Sequence, residues 1–211
     1  METFYRSVAG AVTLLAVAVQ YWIVLEGRSG LEMFEFSVQF FSFFTILTNV
    51  LAGVALLVPV LAPASRFGQF LLRPSVRTAI TGYIIIVGVV YYLLLRNVGD
   101  QHGVGLFVER ALHYITPPLF VLDWLLFVPK HDIDWKVGVA SLGYPVVYGT
   151  WIMLHGAFTD WYPYPFIDVP DLGYARVFTN MAALIASFLG LELALVGIGR
   201  LIAQVREKAA G

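Results

Sequence analysis

Residues 78–95 read TAITGYIIIVGVVYYLLL, eighteen residues without one charged side chain. A helix needs about 20 predominantly apolar residues to cross the hydrocarbon core of a bilayer, so this stretch is typical of a membrane-spanning helix. Similar stretches recur along the chain, and the predicted spans are 8–25, 38–61, 78–95, 106–128, 137–155 and 174–202. The sequence therefore predicts an all-α polytopic membrane protein, a bundle of six transmembrane helices that forms one domain over 1–211.

The composition of the chain supports this class. The 211 residues are 59% hydrophobic and 13% charged, with a mean hydropathy of +0.80. Soluble domains carry roughly 25% charged residues, so lipid rather than water must cover most of this surface. The net charge of −1 excludes nucleic-acid binding, which needs a basic surface. Because cysteine is absent, disulfides, thiol nucleophiles and cysteine metal centres are excluded as well.

The distribution of Lys and Arg predicts the orientation of the spans. Six spans place both termini on one side of the membrane. That side carries nine cationic residues: Arg6, Arg66, Arg73, Arg77, Lys130, Lys136, Arg200, Arg206 and Lys208. The other side carries four: Arg28, Arg96, Arg110 and Arg176. By the positive-inside rule both termini are cytoplasmic, and the short loops favour a bacterial cytoplasmic (inner) membrane.

Polar side chains inside the spans are the candidates for function, because such groups are rare in hydrocarbon and face the bundle interior. At a rise of about 1.5 Å per residue, polar residues from five spans lie at a similar depth in the outer half. They are Gln20, Thr45, Asn49, His113, His155 and Asn180, with Tyr148 on the same span as His155. This convergence predicts a small polar pocket that opens towards the outer leaflet.

The second span supplies the most regular part of this pocket. Ser42, Thr45, Asn49 and Ala52 follow one another at three- and four-residue steps, which predicts one helical face. If the helix begins near Val38, Thr45 lies about 10–12 Å below the outer boundary. His113 lies at about 10 Å on its own span by the same reckoning.

Structural roles for the same residues stay open. Asn49 and Asn180 are suited to hydrogen bonds between helices, and a lone buried histidine serves structure as often as function. Asp123 and Glu192 lie near the cytoplasmic boundary, where we expect them to snorkel or to pair with Lys and Arg. The aromatic run 160–166 cannot form a regular helix because two prolines interrupt it. Its rings are expected to act as an interfacial anchor.

Thr45 and His113 together suit nucleophilic catalysis. A threonine hydroxyl attacks only when a base removes its proton, and neutral imidazole can accept that proton and then return it to a leaving alcohol. The expected donors to the oxyanion, or contacts to the substrate, are Asn49, Asn180, His155, Tyr148 and Gln20. No metal is expected, because the carboxylates predicted to lie inside the membrane, Asp123 and Glu192, are far from His113 and no second ligand stands three or four residues after it. No other cofactor is expected.

Three short motifs add a resemblance to this chemistry. They are Phe43-Phe44-Thr45-Ile46-Leu47-Thr48-Asn49, then Leu112-His113-Tyr114-Ile115-Thr116-Pro117-Pro118-Leu119 with an acidic residue at Asp123, and finally Tyr164-Pro165-Phe166-Ile167-Asp168. In order and spacing they resemble the androgen-induced-gene and androgen-dependent TFPI-regulating protein family. Members of that family are multi-span membrane threonine hydrolases that cleave fatty-acid esters of hydroxy fatty acids.

The resemblance implies that Thr45 is the nucleophile, that His113 is the base, and that membrane lipids are both solvent and substrate. Two other classes of function remain as alternatives. A haem- or quinone-binding membrane protein would use His113 and His155 near the outer face, and a small-solute transporter would use the outer pocket as its entry. A transporter also predicts a polar path that continues inward past Asp123.

Overall fold

The computed structural model describes residues 1–98, 102–131 and 133–210. Over these ranges the protein is all-helical and contains no strand, so the predicted helical class is confirmed. The chain divides into two compact units, Met1–Asp132 and Ile133–Gly211, which are described in turn.

The first unit contains the helices α1 (Glu2–Leu25), α2 (Gly30–Phe40), α3 (Phe44–Leu61), α4 (Arg66–Leu72), α5 (Pro74–Val90), α6 (Gly103–Arg110) and α7 (Thr116–Phe127). Two π-helical turns extend them, Tyr91–Leu95 directly after α5 and Ala111–Ile115 between α6 and α7. The hydroxyl of Ser65 caps α4 by accepting a hydrogen bond from the amide of Gly68. Pro74 occupies the first turn of α5, where its missing N–H costs nothing.

Helices α1 and α3 pack closely in antiparallel directions because each supplies a glycine to the contact. A Cβ atom on Gly10 would lie 2.6 Å from Leu57, and one on Gly53 would lie 2.6 Å from Leu14. Small residues of this kind let helix backbones approach in a lipid environment, where van der Waals packing drives association. Continued along both helices, this register brings Gln20 level with the first turn of α3.

The predicted continuous second span over 38–61 is wrong, because the helix breaks at residues 41–43. The amides of Ser42 and Phe43 bond to carbonyls three residues back, and Phe43 is extended with φ −82° and ψ 126°. The break allows Phe40 to be buried against Tyr21, with ring centroids 5.0 Å apart, and Phe43 to pack against the same apolar cluster. Ser42 is therefore not on a helical face with Thr45, although both are buried.

Helix α5 packs against α7 and the π-turn that precedes it. The indole Nε1 of Trp124 donates to the hydroxyl of Thr78 at 2.9 Å, and both side chains are buried. Near the other end of the contact, a Cβ atom on Gly88 would lie 3.2 Å from the carbonyl oxygen of His113. The absence of a side chain at Gly88 is what admits this carbonyl.

The second unit contains α8 (Lys136–Ala140), α9 (Gly143–Thr159), a 3₁₀ turn (Pro165–Ile167) and α10 (Val169–Ala210). Asp160 ends α9 in the left-handed conformation, and Gly173 kinks α10 at φ 71° and ψ 154°. Helix α8 lies against α10, where a Cβ atom on Gly138 would meet Leu193 at 2.6 Å. As predicted, the run 160–166 forms no regular helix.

Among the described residues, five helical segments are long and apolar enough to cross a membrane: Glu2–Leu25, Phe44–Leu61, Pro74–Leu95, Lys136–Thr159 and Val169–Ala209. They are compatible with an integral membrane protein and correspond to five of the six predicted spans. The remaining predicted span, 106–128, is helical over 103–127 but carries Glu109, Arg110 and Asp123, and it is not among the five.

Candidate functional site

His113 lies on the π-turn Ala111–Ile115, in the outer half of the fourth predicted span. Pro117 explains the local distortion, because it lacks the N–H that an α-helix would direct at the His113 carbonyl and its ring would clash with that oxygen. The carbonyl instead lies against Gly88 of α5. Single π-turns inside α-helices occur frequently at functional sites, and here a second π-turn, Tyr91–Leu95, ends α5.

The two π-turns meet at a stacked pair of rings. The imidazole of His113 lies over the ring of Tyr91 with centroids 3.8 Å apart and an interplanar angle of 17°. Tyr114 contacts Tyr91 edge-on at 5.4 Å. Tyr91 is buried and His113 is partly buried, so the stack fixes the plane of the imidazole at the edge of the unit.

One hydrogen bond determines which imidazole nitrogen is the base. Nδ1 of His113 lies 2.8 Å from the carbonyl oxygen of Glu109. A carbonyl oxygen can only accept, so Nδ1 carries the proton and the lone pair of the neutral ring is on Nε2. The site therefore presents an oriented imidazole whose basic atom, in the neutral ring, is Nε2.

Glu109 is a site residue that the sequence reasoning missed. Its carboxylate accepts a hydrogen bond from the hydroxyl of Tyr91, while its own backbone carbonyl holds His113. The signal was present in the sequence, because Glu109 precedes His113 by four residues and so lies on the same helical face. Glu109, Tyr91 and His113 form one connected group.

Thr45 lies in the first turn of α3 and is 8% exposed. The next residue, Ile46, packs in a buried cluster with Ala111 and Leu112, which directly precede His113. Helix α3 therefore contacts the π-turn that carries His113. The pairing of the Thr45 and His113 side chains remains a prediction. The positive end of the α3 dipole also lies at Thr45.

Asn49 and Gln20 bring unsatisfied oxygens to the same part of the unit. The side-chain nitrogen of Asn49 donates to the carbonyl of Thr45 at 2.8 Å, whereas its Oδ1 is buried without a partner. Gln20 lies level with the first turn of α3, and its Oε1 is also buried without a partner. These two orphan atoms are acceptors, so they suit a ligand's donors better than the predicted oxyanion role.

The other predicted site residues belong to the second unit. The Asn180 side-chain nitrogen donates to the carbonyl of Phe166 at 2.7 Å and so holds the 160–168 loop, a structural role different from the hydrogen bond between helices that stayed open for it. His155 is half-buried between the rings of Trp151 and Trp161, with centroids 5.6 and 5.7 Å away. Tyr148 is half-buried on α9.

Two rings of the aromatic loop pack into the protein, whereas Trp161 and Phe166 are half-buried, so the predicted interfacial anchor can involve only part of the run. Tyr162 and Tyr164 are each 8% exposed, and Gly156 leaves the space that the Tyr162 ring fills. Burial, with smaller contributions from Tyr174, Asp160 and Asp168, raises the pKa of the Tyr162 hydroxyl above 10.0.

Asp123 pairs with two cations, one of the two outcomes expected for it. Its Oδ1 accepts from Nε of Arg6 at 2.7 Å, and its Oδ2 accepts from the guanidinium of Arg77. Arg77 also donates to the carbonyl of Ala55 at 2.7 Å, and Glu2 pairs with Arg6. Negative and positive charges alternate in this series of ion pairs, from Glu2 through Arg6 and Asp123 to Arg77, so the four charges sum to zero.

Glu192 meets neither expectation. It is fully buried, so it does not snorkel, and both of its carboxyl oxygens lack a hydrogen-bond partner. Within the described ranges, no group of three or more His, Asp and Glu side chains is placed to hold a metal ion. A comparison of the chain with protein families, curated proteins and solved structures finds no match.

Proposed function

We propose that the chain is an integral membrane hydrolase of lipid esters, with Thr45 as nucleophile and His113 as general base and acid. In this proposal the chain crosses the membrane six times with both termini in the cytoplasm, and it resembles the androgen-induced-gene family in motif order. Fatty-acid esters of hydroxy fatty acids are the substrate class that the resemblance implies.

The observation that carries the proposal is the hydrogen bond from Nδ1 of His113 to the Glu109 carbonyl. It leaves Nε2 as the basic atom, and stacking on Tyr91 holds the ring in place. A base held in one tautomer and one orientation is the requirement for activating a hydroxyl nucleophile.

The proposed reaction proceeds through an acyl-threonine intermediate. The Thr45 hydroxyl attacks the ester carbonyl while its proton passes to Nε2 of His113. That proton then moves to the leaving alcohol as the tetrahedral intermediate collapses. Water next attacks the acyl-threonine with His113 again as base, which releases the fatty acid and restores Thr45. The positive end of α3 lies where the oxyanion forms, and fixed dipoles of this kind stabilise developing negative charge.

Lateral entry of a lipid is supported by the apolar surface around His113. Exposed apolar side chains lie on or next to both π-turns, that of His113 and that of Tyr91. They are Phe107, Tyr114, Ile115, Tyr92, Leu93 and Leu94. Further along α7, Thr116 and Phe120 are buried above the ion-paired Asp123. A packed inner half favours a hydrolase over the transporter alternative, which needs a polar path at this point.

The proposal is tested with purified protein and a branched fatty-acid ester. T45A and H113A are each expected to lower the turnover by at least roughly 10²-fold, the low end of what positioned acid–base groups contribute. A fluorophosphonate probe should label Thr45 in the parent protein and lose that label in T45A. T179A is the matched control, because Thr179 is exposed and bonds only its own helix at Ala175. Undiminished turnover in both T45A and H113A would refute the assignment.

An absorption spectrum of the same sample tests the haem alternative. An imidazole held through Nδ1 can also bind a haem iron through Nε2. A Soret band that disappears in H113A would identify a haem protein instead of a hydrolase.

A further inference from the structure

Glu192 is a buried carboxyl in the second unit. Its side chain has no exposed surface, and neither carboxyl oxygen has a hydrogen-bond partner. Phe188, Leu195 and Val196, which share its face of α10, are buried apolar residues. Its neighbours in sequence are Leu191 and Leu193, and Leu193 is packed against Gly138 of α8. Glu192 therefore lies in an apolar environment within the longest candidate membrane span.

No cation compensates this carboxyl among the described residues. On α8, Lys136 is exposed, and on α10 itself the next cation, Arg200, is exposed and lies over Trp135 at 5.9 Å. The 3₁₀ turn carries no titratable side chain. The titratable groups of α9 are Tyr144, Tyr148 and His155.

Two buried carboxyls of this protein thus have opposite environments. Asp123 accepts hydrogen bonds from two guanidinium groups, which stabilise its ionised form. An ionised Glu192 would have neither water nor a counter-charge, and a buried group in that position neutralises by taking up a proton. Ionisable residues inside a membrane segment are functional candidates by default.

We propose that Glu192 is an intramembrane proton-binding site, a carboxyl that the fold holds in its neutral acid form. The proton is the ligand that satisfies the charge. Because the side chain has no exposed surface, the proton exchanges with water only when the packing around this part of α10 opens. The inference is independent of the proposed hydrolase, which uses residues of the first unit.

Infrared difference spectroscopy tests this directly. At neutral pH the parent protein should show the carbonyl stretch of a protonated carboxylic acid, and E192Q should lose that band. D123N should retain it, because Asp123 is ionised in its double ion pair. Superimposable spectra of the parent protein and E192Q in this region would overturn the proposal.

Thermal stability provides a second, independent readout. Because the amide replaces a neutral acid of the same shape, E192Q should melt within about 2–4 °C of the parent protein, the shift that corresponds to roughly 1 kcal/mol for a chain of this size. D123N should lower Tm several times as much, since it removes the charge between two buried cations. An E192Q loss as large as that of D123N would show that Glu192 is ionised and compensated, and would likewise overturn the proposal.

Discussion

The substitution Asp123→Asn removes one charge from the buried network of the first unit and changes almost nothing else. The side chain keeps its size and remains fully buried. Arg77 is also fully buried and Arg6 is 5% exposed, so neither cation can turn to water to replace the lost partner. Glu2 remains beside Arg6, but Arg77 is left with the Ala55 carbonyl as its other acceptor.

The expected cost follows from this geometry. Breaking a buried ion pair by removing one partner destabilises proteins by about 3–5 kcal/mol, because the remaining charge is buried without compensation. Since the total free energy of unfolding is about 5–15 kcal/mol, D123N should lose a large share of that stability. The double variant D123N/R77M should recover part of the loss, because it also removes the stranded cation.

The assay is thermal or chaotrope unfolding of the purified protein in one detergent. Asp171→Asn is the matched control, because Asp171 is exposed in the first turn of α10 and surface substitutions change stability by within about 0.5 kcal/mol. If D123N unfolds together with D171N, the buried network does not stabilise the fold and the reasoning fails.

Three further predictions concern the site and the second unit. G88A should lower both stability and ester turnover, by about 1–3 kcal/mol in stability, because its new methyl group would press on the His113 carbonyl at 3.2 Å; equal melting temperatures would contradict this. N180A should cost about 0.5–1.5 kcal/mol and speed proteolysis of the 160–168 loop, because it removes the part-buried hydrogen bond to the Phe166 carbonyl; unchanged cleavage would count against that anchor. The raised pKa of Tyr162 means that its neutral form is favoured in the folded state. The stability of the parent protein relative to Y162F should therefore fall as pH rises above about 10. Melting temperatures of the two proteins that stay parallel across this pH range would refute the prediction.

The sequence predicted the helical class and five of the candidate spans because each rests on a local property. Composition and the length of apolar runs are enough to mark 78–95 as a spanning helix. The break at 41–43 was missed because every residue there except Ser42 is an apolar phenylalanine, and hydropathy continues through it. The reasons for the break lie in tertiary contacts: the ring of Tyr21, about 20 residues away in sequence, packs on Phe40, and Phe43 packs against the same apolar cluster.

The candidate site was predicted in part for a similar reason. His113, Thr45 and Asn49 could be named because polar residues are rare in the spans. The stack on Tyr91 and the π-turn that carries it depend on how α5 meets the Pro117 segment, which is a tertiary relation. The difference between Asp123 and Glu192 was likewise invisible, because both are single carboxyls among apolar residues, and Arg77 is 46 residues from Asp123.

The burial of three basic side chains means that their effect on membrane insertion differs from their effect in the folded protein. Arg6, Arg77 and Lys130 belong to the nine cations that predict the orientation, yet each is at most 5% exposed. In the folded protein they cannot attract an anionic leaflet. Any influence they have on topology must act during insertion, while they are still hydrated on the nascent chain. Neutralising them should then change the insertion of the chain into the membrane and, separately, lower the stability of the folded protein. Neutralising the exposed Arg73 should change insertion alone.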